Sequence, residues 1–173
     1  MPSIGQENLE TVMIDFFGAL RRGDFEAAAE LLDPEVSWQG LREEWVCHGP
    51  EEVVDTYRWG LEQRREIDAL EFTRGGEQIV LGARGPNIGP AEEPLGQIFN
   101  VFTLRDARIV RIEDFRGRRE ALTAAVSPRT RTGADCGRGG AKRSAARGSN
   151  CARPAATSLQ GLTLERLPAM IRE

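Results

Sequence analysis

The sequence predicts an α+β domain in which helices come first and an antiparallel meander of strands follows. Three observations carry this expectation. Apolar residues recur at the roughly 3.6-residue period of a helix until about residue 66, and alternate like strands after it. Gly75-Gly76 and Asp106-Ala107 each sit between two alternating runs, where hairpin turns belong. From Ser127 onward the composition collapses into Arg, Gly, Ala, Pro and Ser, which lack the side chains to bury a core. The domain is therefore expected over residues 1–126, with residues 127–173 as a disordered tail.

Each element has its own local warrant. Leu9, Val12, Met13, Phe16, Phe17 and Leu20 trace one face of a helix that stops at Gly23. Asp24 caps a short second helix with Phe25, Ala28, Leu31 and Leu32 on its apolar side, ended by Asp33-Pro34. Residues 36–39 read as a strand and 41–47 as its return. Gly49-Pro50-Glu51-Glu52 opens a third helix, since proline suits the first turn and acids suit the positive end of the dipole. Its buried stripe is Val53, Val54, Tyr57 and Leu61. Strands at 67–74 and 77–84 flank Gly75-Gly76, a proline-rich loop follows at 85–94, and strands at 95–104 and 109–115 flank Asp106-Ala107. Residues 117–125 close the domain as a helix.

Composition excludes several classes of function. The chain has 173 residues, 40% hydrophobic and 29% charged, which fits one globular domain. Residues 1–127 hold 14 Arg against 24 Asp and Glu, a balance of −10, whereas residues 128–173 hold 9 Lys and Arg against 3 acids, a balance of +6. An acidic body repels a phosphate backbone, so nucleic acid is not an expected partner. Apolar runs are far shorter than the roughly 20 residues of a membrane span. The first residues have neither the basic nor the apolar region of a signal peptide, and a cytoplasmic location is expected. Cys47, Cys136 and Cys151 form no paired motif, and His48 is the single histidine, so neither a disulfide framework nor a His-based zinc site is expected. Cys47 and His48 are neighbours, and on a strand they would point to opposite faces.

A turn at Asp106-Ala107 fixes a register for the last hairpin. Counting outward without interruption, Thr103 faces Val110, Val101 faces Ile112 and Phe99 faces Asp114. Asp114 then lies on an apolar face, where an unpaired carboxylate is costly and its titration is readily shifted. Gln97 shares that face and can orient a ligand or water. The opposite face would carry Ile98, Asn100, Phe102, Leu104 and Ile109 with Arg111 and Glu113. Such an apolar strip on a monomer predicts a homodimer through the sheet.

The segments Phe16-Phe-Gly-Ala-Leu-Arg-Arg-Gly-Asp24, Leu32-Asp-Pro-Glu-Val-Ser-Trp38, Gly49-Pro-Glu-Glu-Val53 and Arg108-Ile-Val-Arg-Ile-Glu-Asp-Phe115, in this order, resemble the SnoaL-like branch of the nuclear transport factor 2 superfamily. The resemblance covers about residues 7–126. It implies a cystatin-like curved antiparallel sheet wrapped around helices, a cone-shaped α+β barrel with an apolar pocket. Relatives include ketosteroid isomerases, limonene-epoxide hydrolases and polyketide cyclases. The isomerase apparatus finds no match: its tyrosine falls at Phe16, its base near Trp38 or Gln39, and its protonated aspartate at Phe99. Against the epoxide hydrolases, Asp114 matches one aspartate and Arg84 the arginine, while Pro86 stands where the second aspartate belongs. Against the cyclases, Asp114 matches the acid on the sheet.

The resemblance thus implies a cofactor-free acid/base enzyme of cyclase, isomerase or epoxide-hydrolase type, acting on an apolar metabolite. Asp114 would be the acid/base and Arg84 its electrostatic partner, with Phe16, Trp38, Tyr57, Gln97, Phe99, Val101 and Ile112 lining the pocket. No cofactor or metal is implied. The alternative is a non-catalytic ligand-binding or dimerisation module on the same fold.

Overall fold

The computed structural model describes residues 6–63, 67–90 and 93–126. The expected tail at 127–173 lies outside the described residues. Within them, α1 (Gln6–Arg22), α2 (Phe25–Glu30), β1 (Leu32–Gln39), β2 (Val46–His48) and α3 (Gly49–Glu62) precede β3 (Ala69–Gly75), β4 (Gln78–Arg84), β5 (Gln97–Arg105), β6 (Arg108–Phe115) and α4 (Arg118–Val126). The six strands form one curved, unclosed sheet in the order β2-β1-β6-β5-β4-β3. Every neighbouring pair is antiparallel except β1 and β6, which run parallel. The fold is therefore α+β, as expected, with a mixed sheet in place of the wholly antiparallel one.

Local chemistry places the elements. Asp24 caps α2, its carboxylate accepting the Ala27 N–H at 3.2 Å. Glu52 reaches back one turn to accept the His48 N–H at 2.7 Å where α3 begins. The strand expected to start at residue 36 starts at Leu32, ahead of Pro34, and its return shortens to Val46–His48. The β3–β4 turn lies one residue later than expected: Gly75 pairs with Gln78, and Gly76 takes the positive φ of +62° that glycine tolerates. Asp106 and Ala107 form the β5–β6 turn as read, both at positive φ, 50° and 60°.

The expected register of that last hairpin holds only next to its turn. Arg105 pairs with Arg108 and Leu104 with Ile109, but Thr103 then pairs with Arg111, leaving Val110 as an extra residue on β6. Beyond this bulge Phe102 faces Ile112, Asn100 faces Asp114 and Phe99 faces Phe115. The bulge has a packing reason. Strict alternation cannot bury Ile109 and Ile112 on one face, and the extra residue lets both reach zero exposure while Arg111 and Glu113 stay on the other face.

The correction moves every side chain upstream. Ile98, Asn100, Phe102, Leu104 and Ile109 lie on the inner face and are no more than 2% exposed, with Phe102, Leu104 and Ile109 in one cluster with residues of α1, α2 and α3. The strip that suggested a dimer surface is this chain's own core. The outer face carries Val80, Phe99 and Val101 and is covered by α4 through Ala121, Leu122 and Ala125.

Candidate functional site

The bulge and the parallel β1–β6 pairing together build a polar knot on the inner face. Asp114 and Asn100 are cross-strand partners, so their side chains rise side by side. Trp38 on β1 pairs with Ile112, two residues before Asp114, which sets the indole beside the carboxyl. The Trp38 indole Nε1–H donates to Asp114 Oδ1 at 2.7 Å, and the Asn100 side-chain Nδ2–H donates to the same oxygen at 2.6 Å. Asp114 Oδ2 is buried and has no hydrogen-bond partner among the described residues. The residue as a whole is 7% exposed, Asn100 2% and Trp38 0%.

Aromatic rings surround the knot on the helix side. Trp38 stacks on Tyr57 of α3 with centroids 4.8 Å apart and planes tilted by 31°. Tyr57 meets Phe16 of α1 edge-on at 5.4 Å and Phe17 at 6.3 Å. Towards the start of β5, on the same inner face, Ile98 packs with Ala83 and Ile88 in a second apolar cluster, supported by Leu41, Ile67 and Leu70. The Asp114–Asn100 pair thus has apolar packing on either side along the sheet, Ile98 and Phe102 flanking Asn100 on β5 and Ile112 preceding Asp114 on β6.

This environment decides the protonation chemistry. Burial pushes the Asp114 carboxyl up to about 7, against the hydrogen bonds from Trp38 and Asn100, which favour its charged form and pull the other way. Burial also pushes the Tyr57 phenol up, and the Asp114 charge adds to the rise, so Tyr57 stays neutral. A carboxyl balanced near neutrality can both give and take a proton, the property required of a general acid or base. Among the described residues no three His, Cys, Asp or Glu side chains are grouped to hold a metal ion. His48 is exposed, while Cys47 is buried with its Sγ 3.4 Å from Thr56 Oγ1, so these neighbours do face apart.

The structure brings Phe16, Trp38, Tyr57 and Ile112 to the same side of the sheet as Asp114. It does not bring Arg84, Gln97, Phe99 or Val101 there. Arg84 pairs with Gln97 across β4 and β5, and both lie an odd number of residues from the knot, hence on the outer face. Arg84 is half exposed and stands 3.8 Å from Glu71. Gln97 donates from its side chain to the Arg116 carbonyl oxygen at 3.2 Å, and Phe99 and Val101 pack under α4. The reason is the bulge, which uninterrupted counting from the turn omits. Asn100 is the residue that sequence reasoning missed. Its signal was present, as a single amide inside the otherwise apolar run from Ile98 to Phe102, but its assumed phase pointed it outward.

Residues 13–112 match the family described as the SnoaL-like domain. No curated protein is significantly similar to the chain. Among solved structures, a protein of Jannaschia sp. CCS1 provisionally named a SnoaL-like polyketide cyclase shares 20% identity, covering 74% of this chain and 97% of that one, with a TM-score of 0.50. A provisionally named polyketide cyclase from Sinorhizobium meliloti also shares 20% identity, covering 61% of this chain and 94% of its own, at a TM-score of 0.48. An NTF2-like protein of unknown function from Cytophaga hutchinsonii shares 13%, covering 66% and 94%, at a TM-score of 0.46. At 20% identity and a TM-score of 0.50 the Jannaschia likeness bears on fold alone and leaves the chemistry to the residues themselves. With more than half its length matched and an α+β architecture to suit, the chain belongs to the SnoaL-like domain family.

Proposed function

We propose that the protein is a small enzyme performing cofactor-free acid/base chemistry on an apolar, polyketide-like molecule, with Asp114 as the group that transfers the proton. One observation carries this reading: a buried carboxyl has two donors fixed on one oxygen while the other oxygen has no partner. A purely structural carboxylate at this depth would be expected to satisfy both oxygens, because leaving one unsatisfied costs about 1–3 kcal/mol. The aromatic neighbours Trp38, Tyr57 and Phe16 suit a flat, apolar ligand, and the titration range of Asp114 suits proton transfer at neutral pH. Arg84 has no part in this site.

A thermal-shift panel of hydrophobic metabolites, followed by product analysis of each binder, supplies the substrate, because a ligand raises stability by mass action. Asp114→Asn keeps the shape and removes the titrating group. It should lower turnover by about 10²–10⁴ and leave ligand affinity far less changed. A folded Asp114→Asn protein with full turnover would refute the role. The separation of Asp114 from Arg84 favours a second reading, a ligand-binding module without catalysis. That reading gains if the wild-type protein binds panel members and converts none.

A further inference from the structure

The two donors at Asp114 are not distributed over the carboxyl; they converge on one oxygen. An ionised carboxyl oxygen offers about two lone-pair directions. At Oδ1 the Trp38 indole N–H and the Asn100 amide N–H occupy them, at 2.7 Å and 2.6 Å. A proton placed on Oδ1 would collide with one of those donor hydrogens and break its bond, stranding a buried N–H. Oδ2 carries no such donor among the described residues. We propose that Trp38 and Asn100 assign the mobile proton of Asp114 to Oδ2 alone, with Asn100 as a positioning residue acting through the carboxyl. This rests on the reading of Asp114 as an acid/base and specifies the atom at which it works.

In the acid direction the Oδ2–H bond breaks, its electron pair stays on Oδ2, and the proton passes to a basic oxygen of the ligand. In the base direction an Oδ2 lone pair takes a proton from a ligand C–H or O–H. Oδ1 accepts the same two hydrogen bonds in both states, so the carboxyl need not rotate between the two halves of a cycle. The groups around it leave the assignment intact. β1 brings Trp38, β5 brings Asn100, and α3 brings Tyr57, which stays neutral. From α1, Phe16 and Phe17 pack on Tyr57 and carry no charge.

The test is a pH titration of the full-length protein by NMR. The Asp114 carboxyl carbon is identified by its loss in Asp114→Asn, and the Trp38 indole N–H, one of three in the chain, by its loss in Trp38→Phe. As the carboxyl titrates, the Trp38 indole and Asn100 amide protons should keep their downfield, bonded positions on both sides of the midpoint. Movement of either proton to its unbonded position on protonation, with hydrogen exchange accelerating tenfold or more, would place the proton on Oδ1 and overturn the proposal. Asn100→Leu should raise the carboxyl midpoint, and Asn100→Ser, which restores a donor, should bring it part of the way back. An unchanged midpoint in a folded Asn100→Leu protein would also overturn it. None of these readouts depends on turnover. If Asp114→Asn retains full activity while the resonances behave as stated, the acid/base reading fails and the assignment to Oδ2 stands.

Discussion

The two faces of the sheet bury apolar surface by different means. On the inner face, Phe16, Phe17, Tyr57, Trp38 and Phe102 interlock through edge-on and stacked rings beside a buried carboxyl, Asp114. On the outer face one short helix lays Ala121, Leu122 and Ala125 against Val80, Phe99 and Val101. There the charged residues pair with one another, Arg118 with Glu71 and Arg111 with Glu113 at 2.7 Å each. The difference shows why, among the described residues, a carboxyl on the inner face is pushed up to the neutral range. Away from that packing, the exposed Glu93 accepts hydrogen bonds from the Arg116 guanidinium, which hold its carboxyl below its ordinary value. The inner carboxyl has neutral donors for neighbours, so burial dominates.

The largest test of this contrast lies in the inner packing. Phe102 is fully buried and meets the Phe17 ring edge-on at 5.7 Å. Phe102→Ala should lower stability by about 3–5 kcal/mol, measured by urea unfolding. A loss below about 1 kcal/mol would mean that the aromatic interlock is not what holds this face.

The pH dependence of stability comes next. The Asp114 carboxyl is raised from 3.8 to about 7 in the folded protein, so over that window the folded state holds a proton that the unfolded state has released. Its contribution is fully present below about pH 4 and is lost as pH rises through about 7, at up to about 1.4 kcal/mol per pH unit. The whole change is on the order of 4 kcal/mol. Subtracting the stability profile of Asp114→Asn from that of the wild type isolates it. A difference with no slope between pH 4 and 7 would show that the inner face does not shift this group.

A smaller effect tests the outer face. Gly82 lies under Phe99, and a Cβ there would stand 2.6 Å from the ring and 2.7 Å from the Glu71 side chain. Gly82→Ala should cost about 1–3 kcal/mol by overpacking and leave the Asp114 titration in place. A shifted Asp114 midpoint would reveal that the two faces are coupled through the sheet. The smallest effect is expected at Arg84, half exposed and 3.8 Å from Glu71. Arg84→Gln should change stability by about 0–1 kcal/mol and leave turnover and ligand affinity unaltered. A tenfold loss of turnover would restore Arg84 to the site and break the separation of the faces.

Much of the fold was legible because its signals are local. The helical stripe from Val12 to Leu20, the Asp24 cap, the Gly49-Pro50 helix start and the Asp106-Ala107 turn each depend on residues a few positions apart, and each stands where the sequence put it. Asp114 itself was legible, as a lone acid two residues beyond Ile112 in an otherwise apolar phase. Its neighbours were only half legible. Trp38, Tyr57, Phe16 and Ile112 lie on the same side of the sheet as Asp114, whereas Arg84, Gln97, Phe99 and Val101 lie on the other, and the amide of Asn100 is the neighbour that strict alternation leaves out.

What the sequence by itself determined is therefore the kind and order of elements, the position of the last turn, and the presence of one acid among apolar strand residues. What only the tertiary structure decided is which face that acid shares and with whom. The physical reason is the extra residue at Val110. A side-chain period of about two residues means that one inserted position exchanges the faces of everything beyond it. Whether the insertion occurs depends on burying Ile109 and Ile112 together against helices far away in the chain, a demand that no local pattern contains. The same packing sets Trp38, 76 residues distant in sequence, within 2.7 Å of Asp114 and gives that carboxyl a donor that no local pattern contains.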